Sequence, residues 1–207
     1  MSCAALSQCS CTRDESNQLI IDMLLNLNVS ELLEYRRTMA GLEPALLDFT
    51  VERMDGIDIS HIIAMRLRKW YLNLLDTAPA ALLPVRDVAS QAIVAPGQLN
   101  GTSIVTLPDG ARRPVAIRMA GWNTAVPVLG VECLDRVVLL QNNPFTAATA
   151  SYPIAVADAA SITGVLVFPS AQAVQQATAV MDPGEGTFIL DESLIASMPL
   201  ENFFSDL

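Results

Sequence analysis

The sequence predicts an α+β protein: a helical N-terminal part followed by a mostly antiparallel β domain of sandwich or barrel type. Three observations predict it. Up to about residue 77, apolar side chains recur at spacings of three and four. After Pro84 they fall into short β-prone runs bounded by Gly, Pro, Asn and Asp. Between the two regimes stand Pro79 and Pro84, which forbid a helix from continuing. The chain then divides into an N-terminal arm (1–15), a helical part (16–78), a β domain (85–180) and an acidic C-terminal tail (181–207). No repeat of solenoid type is present.

The stretch "SNQLIIDMLLNLN" places Leu19, Ile20, Met23, Leu24 and Leu27 on one helical face. Asn28 then caps a second helix, with Glu31 at the reciprocal capping-box position and Gly41 as its left-handed stop. "EPALLDFTVERMDGID" is ambiguous: Pro44 suits a first helical turn and Asp55-Gly56 is a break. From Ser60, "HIIAMRLRKWYLNLLDT" reads as a helix. Ile59, Ile63, Leu67, Trp70 and Leu74 form its apolar stripe, with Arg66, Arg68 and Lys69 off it. In the β part, "VRDVA", "QAIVA", "SIVTL", "PVAIRMA", "RVVLLQ", "YPIAVA" and "ITGVLVF" read as strands and "TFILD" as a weaker one. "TLPDGARRPV" is a hairpin signal, with Val115, Ile117 and Met119 as one buried face. "SAQAVQQATAV" reads as a short helix on the propensity of Ala and Gln.

Composition bounds function. Of 207 residues 52% are apolar but only 16% are charged, below the roughly 25% usual for soluble domains. A large part of the surface is therefore expected to face something other than water. No uncharged apolar run reaches the ~18 residues of a spanning helix, and "MSCAALSQCSCTRDES" lacks the pattern of a secretory signal, so neither a membrane nor secretion is expected. Burial against other protein chains is the better account. The formal charge of −10, with Lys69 the sole lysine, argues against sequence-specific nucleic-acid binding, which leans on basic clusters.

No catalytic, metal or cofactor constellation emerges. The single histidine, His61, starts an amphipathic helix and is expected to be a helix-terminus or core-edge residue rather than part of a triad. Cys133 beside a strand is expected to be a small buried hydrophobe. Cys3, Cys9 and Cys11 have neither zinc-knuckle spacing nor a neighbouring histidine. "MDGID" lacks the oxygen ligands of a calcium loop, and "GQLNG" and "DPGEG" lack the lysine and spacing of a phosphate loop. The adjacent pairs Arg36-Arg37 and Arg112-Arg113 read as surface ion-pair sites before ligand clamps. The acidic stretch could hold a cation, form a solvated face, or meet arginines.

The segments "AIRMAGW" (116–122), "RVVLLQNNPFT" (136–146) and "YPIAV" (152–156) resemble, in that order, structural proteins of crAss-like short-tailed bacteriophages. The resemblance covers roughly residues 103–170, and the helical first third is similar in style to head-to-tail connector and tail-ring proteins. It implies a non-enzymatic virion component: a homo-oligomeric ring in the portal–tail region, meeting the portal and neighbouring tail or ring proteins. "QNNPFTAATASYPIA" (141–155) then becomes an uncharged surface lying against a neighbouring subunit. Asn142 and Asn143 would satisfy backbone groups there, while Pro144 and Pro153 hold the loop extended. Phe145 and Trp122 join them as interface candidates. In the tail, Phe203 and Phe204 are expected in an apolar groove of a neighbouring chain, or folded back on their own β domain. The alternative function is a small binding module whose β domain holds a small ligand, a carbohydrate or a peptide.

Overall fold

The computed structural model describes residues 24–41, 59–99 and 101–199. The expected arm, "EPALLDFTVERMDGID" through residue 58, and Phe203 and Phe204 lie outside the described residues. The fold is α+β: a helical N-terminal region and a mostly antiparallel, curled sheet resembling half a barrel.

Strand β1 (Leu25–Leu27) leads into helix α1 (Val29–Met39). Asn28 caps α1 as its sequence requires. Its side-chain oxygen accepts from the Glu31 N–H at 3.0 Å, and the Glu31 carboxylate accepts from the Asn28 N–H at 2.8 Å. Gly41, at φ +69°, takes the left-handed position that stops the helix. Leu25–Leu27 was expected to be helical; instead it pairs antiparallel with β10 (Phe188–Leu190), which the sequence offered as a weaker strand. The pairing joins segments more than 160 residues apart, which local periodicity does not register.

Helix α2 (Ile59–Thr77) buries Ile63, Leu67, Tyr71 and Leu75. The expected stripe is thus turned by one residue: Trp70 and Leu74 are half-buried flanks, and Tyr71 and Leu75 take the centre. One core joins α1 (Leu32, Leu33) and α2 to Leu83, Val180, Phe188, Leu190, Ile195 and Met198. Most of the expected acidic tail is therefore internal. Residues 182–198 supply a turn, β10 and the short helix α4 (Glu192–Ala196), capped by Asp191. Ala78 and Leu83 carry this core across the expected boundary at 77–85.

The main sheet has eight strands in the order β2-β9-β5-β6-β7-β8-β4-β3. They are β2 (Val85–Asp87), β3 (Ile93–Pro96), β4 (Ser103–Thr106), β5 (Ala111–Met119), β6 (Val126–Leu129), β7 (Ile154–Ala157), β8 (Gly164–Phe168) and β9 (Val174–Met181). All neighbours are antiparallel except β6 and β7. The concave face is filled by side chains at period two: Val165 and Val167, Ile117 and Met119, Ala177 and Ala179. The register of β5 against β9 shifts between Pro114 and Ala116, so Val115 turns to the helical core while Ile117 and Met119 face the sheet core.

Three sequence expectations change here. Pro108-Asp109-Gly110 does turn the chain, with the Ala111 N–H on the Pro108 carbonyl at 3.1 Å, but no hairpin forms. β4 pairs with β3 and β8, β5 with β6 and β9. "SAQAVQQATAV" contributes strand β9, not a helix: a place between β2 and β5 outweighs the helix propensity of Ala and Gln, which is worth only tenths of a kcal/mol per residue. "RVVLLQ" lies in helix α3 (Leu134–Gln141), not in a strand. The parallel pair β6–β7 needs a crossover, and α3 supplies it. Val137 and Leu134 pack on the convex face of β7 and β8, against Val156, Leu166 and Phe168. That is why all five residues of β8 are buried: one face meets the concave core, the other meets α3. Burying Leu166 and Phe168 contributes about 1.5–3 kcal/mol each.

Candidate functional site

The uncharged stretch after α3 is a hydrogen-bonded frame. Asn143 forms an Asx turn, its side-chain oxygen accepting from the Phe145 N–H at 3.0 Å. The Thr146 hydroxyl donates to the Leu140 carbonyl at 2.8 Å, satisfying one of the last carbonyls of α3. Gln141 accepts from the Ala148 N–H at 2.9 Å. Thr149 and Tyr152 then exchange both backbone hydrogen bonds, at 3.2 and 3.0 Å, across a two-residue turn. Asn123 ties this turn to the end of β5: its N–H donates to the Ala150 carbonyl at 3.1 Å, and its side chain donates to the Ser151 hydroxyl at 3.2 Å.

On this frame Phe145 is 96% exposed and Tyr152 81%. With Pro144 and Pro153 they line a groove of about 460 Å³, completed by Val126 and Ile154. None of its described lining residues is charged. Leu139, on the outer face of α3, is 70% exposed beside it in sequence. Full burial of one such side chain is worth about 1.5–3 kcal/mol, and both rings are held in water on this frame.

The candidates from the sequence separate here. Pro144 and Phe145 line the groove, whereas Asn142 and Asn143 are exposed beside it. The side-chain oxygen of Asn143 serves its own loop and not a neighbour's backbone. Trp122, named with the interface candidates, is 3% exposed and packed in the concave core. It still acts on the site from below, because Asn123 follows it directly and Arg118 holds its carbonyl at 3.2 Å. Tyr152, which the sequence placed at the start of the strand "YPIAVA" and did not name as a candidate, is the second exposed ring of the groove. Phe203 and Phe204 lie outside the described residues.

A larger cleft of about 840 Å³ runs along the outer face of α2, and sequence reasoning missed it. Its wall joins His61, Met65 and Lys69 of α2 to Glu185 and Phe188, which are distant in sequence. The charges around it are mostly committed. Arg68 pairs with Asp182 and also donates to the Gly184 carbonyl at 3.0 Å. Burial pushes the Asp182 carboxyl up, but the Arg68 guanidinium and the Gly184 N–H outweigh it and leave its pKa below the usual range. Arg112 grips Asp76 with two bonds of 2.9 Å. Arg113 donates to the carbonyls of Asp76 and Ala78 at 2.7 and 2.6 Å, where a cation suits the C-terminal end of α2. Both arginines therefore serve the fold. Beneath the cleft the Tyr71 hydroxyl donates to the Ile189 carbonyl at 3.0 Å and accepts from its N–H at 3.1 Å. Burial pushes the Tyr71 pKa up to about 12.

His61 is on the exposed face of α2, and Cys133 is half-buried in a 3₁₀ turn before α3, where a strand edge was expected. Among the described residues, no group of three or more His, Cys, Asp or Glu is placed to hold a metal ion, and no helix is long and apolar enough to cross a membrane. Compared with known proteins, the chain matches no family model and no curated protein sequence.

Proposed function

We propose that this protein is a non-enzymatic structural subunit that assembles with copies of itself. From the resemblance of residues 103–170, the assembly is a ring in the portal–tail region of a short-tailed phage virion, seated on the portal or on neighbouring tail and ring proteins. The observation that supports it is the pair Phe145 and Tyr152, exposed on a rigid, charge-free frame. With a net charge of −10, two copies repel over most of their surfaces. From Val137 onward the chain carries no charge over residues 137–157, so this is one place where a second copy can approach without setting acid against acid. Assembly of this kind calls for no cofactor, metal, membrane or nucleic acid. Sedimentation velocity on the full chain tests it: wild type sediments as an oligomer at micromolar concentration and Phe145→Asp as a monomer. A wild type that is monomeric, alone and with its neighbouring virion proteins, overturns the proposal.

One observation favours a second function, a small binding module: the cleft along α2 has the volume of a ligand pocket. It is a different place from the β-domain site expected for a carbohydrate, because Trp122, the ring that would stack on a sugar, is buried. A monomeric protein whose melting temperature rises with a ligand, and falls back when Met65→Glu blocks the cleft, would favour the module.

A further inference from the structure

We infer that the outer face of α1 is a docking trough for a basic amphipathic segment of a different protein, which sets apolar side chains into the trough and Lys or Arg side chains on its acidic rim. Such a contact is separate from self-association and needs no second copy. The trough holds about 600 Å³. Its described lining is Leu27 of β1 with Glu31, Glu34, Tyr35, Thr38 and Met39 of α1. The five α1 positions recur at helical spacing and so share one face, while Leu32 and Leu33 are buried in the helical core. Leu27 and Tyr35 are half-buried and Met39 is 39% exposed, and these three make the apolar floor. From position 31 to 39 the helix rises about 12 Å, room for about two turns of a partner helix.

Charge selects the occupant. Both charged residues of the described lining, Glu31 and Glu34, are acids. The Tyr35 hydroxyl donates to the Glu192 carboxylate, which brings a third acid beside the trough. The arginines of α1 are not in the lining: Arg36 donates to the Met198 carbonyl at 3.0 Å, and the Nε of Arg37 is buried. Like charges facing one another disfavour an acidic occupant. That sets aside this chain's own segments outside the described residues, 1–23, 42–58 and 200–207, each of which carries more acids than bases. It also sets aside a second copy. The net charge of a copy is −10, and its neighbouring arginines are committed: Arg68 to Asp182, Arg112 to Asp76, Arg113 to the carbonyls of Asp76 and Ala78. A basic amphipathic segment of another protein covers the floor and pairs the carboxylates at once, in the helix-in-groove mode with anchors three and four residues apart.

Isothermal titration of the full chain with synthetic peptides tests this. The probe is a helical peptide of Leu and Lys with Leu at spacings of three and four. Its controls are the same peptide with Glu in place of Lys, and a peptide of the same composition with the spacing scrambled. The probe is expected to bind saturably, and both controls at least ~10-fold more weakly. Glu34→Lys, exposed and outside the capping box, is expected to weaken the probe about tenfold, since it replaces an attraction by a repulsion. Met39→Gln should weaken it severalfold through loss of the apolar contact. Because the whole chain is acidic, Asp109→Lys measures non-specific attraction: it makes the same change of charge in the exposed turn before β5 and should stay within about twofold of wild type. Thermal melts check the folds, and Glu34→Gln and Met39→Ser repeat each arm should a first variant melt early. No saturable binding, or equal weakening by Glu34→Lys and Asp109→Lys, overturns the inference. So does a change in the sedimentation of the chain alone on Met39→Gln, because the trough would then belong to a contact between copies.

Discussion

Tyr71→Phe removes one oxygen from the centre of the helical core and nothing else. The ring keeps its edge-to-face contact with Phe188, at 5.2 Å between centroids. What is lost is the hydroxyl that both donates to and accepts from Ile189, closing the side of β10 that β1 does not cover. Each buried backbone group left without a partner costs about 1–3 kcal/mol, so losing the partner of both should destabilise by about 2–6 kcal/mol at pH 7. A second arm uses pH. The unfolded tyrosine ionises near pH 10, whereas the folded one holds its proton until about 12. Its folded pKa is raised, so its stabilising contribution is complete below pH 10 and is lost as pH climbs from about 10 to about 12, at most about 3 kcal/mol in all. Equilibrium urea unfolding at pH 7, 9 and 11 reads both arms. Wild type should lose more stability between pH 9 and 11 than Tyr71→Phe does, the other tyrosines being common to both. A variant as stable as wild type at pH 7, or one that loses stability just as steeply at high pH, would refute the role given to this hydroxyl.

Asp182→Asn should destabilise by about 1–3 kcal/mol at neutral pH, because Arg68 loses its charged partner in a partly buried place. The depressed Asp182 pKa means its contribution is present above the ordinary aspartate range near pH 4 and lost as pH falls through the folded value; acid titration of stability should therefore be flatter in the variant. Trp122→Ala should cost about 3–5 kcal/mol and Trp70→Ala clearly less, since Trp122 is core and Trp70 a half-buried flank; equal losses in chemical denaturation would contradict these placements. Asn28→Ala should cost about 1 kcal/mol through loss of the capping box, and a melt unchanged by it would show the cap to be idle.

The α+β class, the cap at Asn28, the stop at Gly41 and most strands of the sheet were legible because each is written in neighbouring residues. What misled were segments whose state is decided at long range. Val137 and its β-branched neighbour read as strand, but the parallel β6–β7 pair demanded a crossover helix, and no local pattern announces a parallel pair. Ala and Gln in β9 read as helix, but the place between β2 and β5 decided. Residues 182–198 read as a tail because their acids are offset by no base, while the buried face is made of Phe188, Leu190, Leu194, Ile195 and Met198 scattered between them. The candidate surface was partly legible: its lack of charge, its prolines and Phe145 stood out, whereas the exposure of Tyr152 and the burial of Trp122 depend on how the turn at 149–152 docks on the end of β5.

The central claim is that copies of this chain join through the charge-free surface around Phe145. Native mass spectrometry of the full-length protein at micromolar concentration tests it most directly. The account predicts one discrete oligomer, an integer multiple of the chain mass with nothing beyond it, which Phe145→Asp reduces to monomer without lowering the melting temperature. A wild-type spectrum of monomer alone, or an oligomer that Phe145→Asp leaves intact, would contradict it.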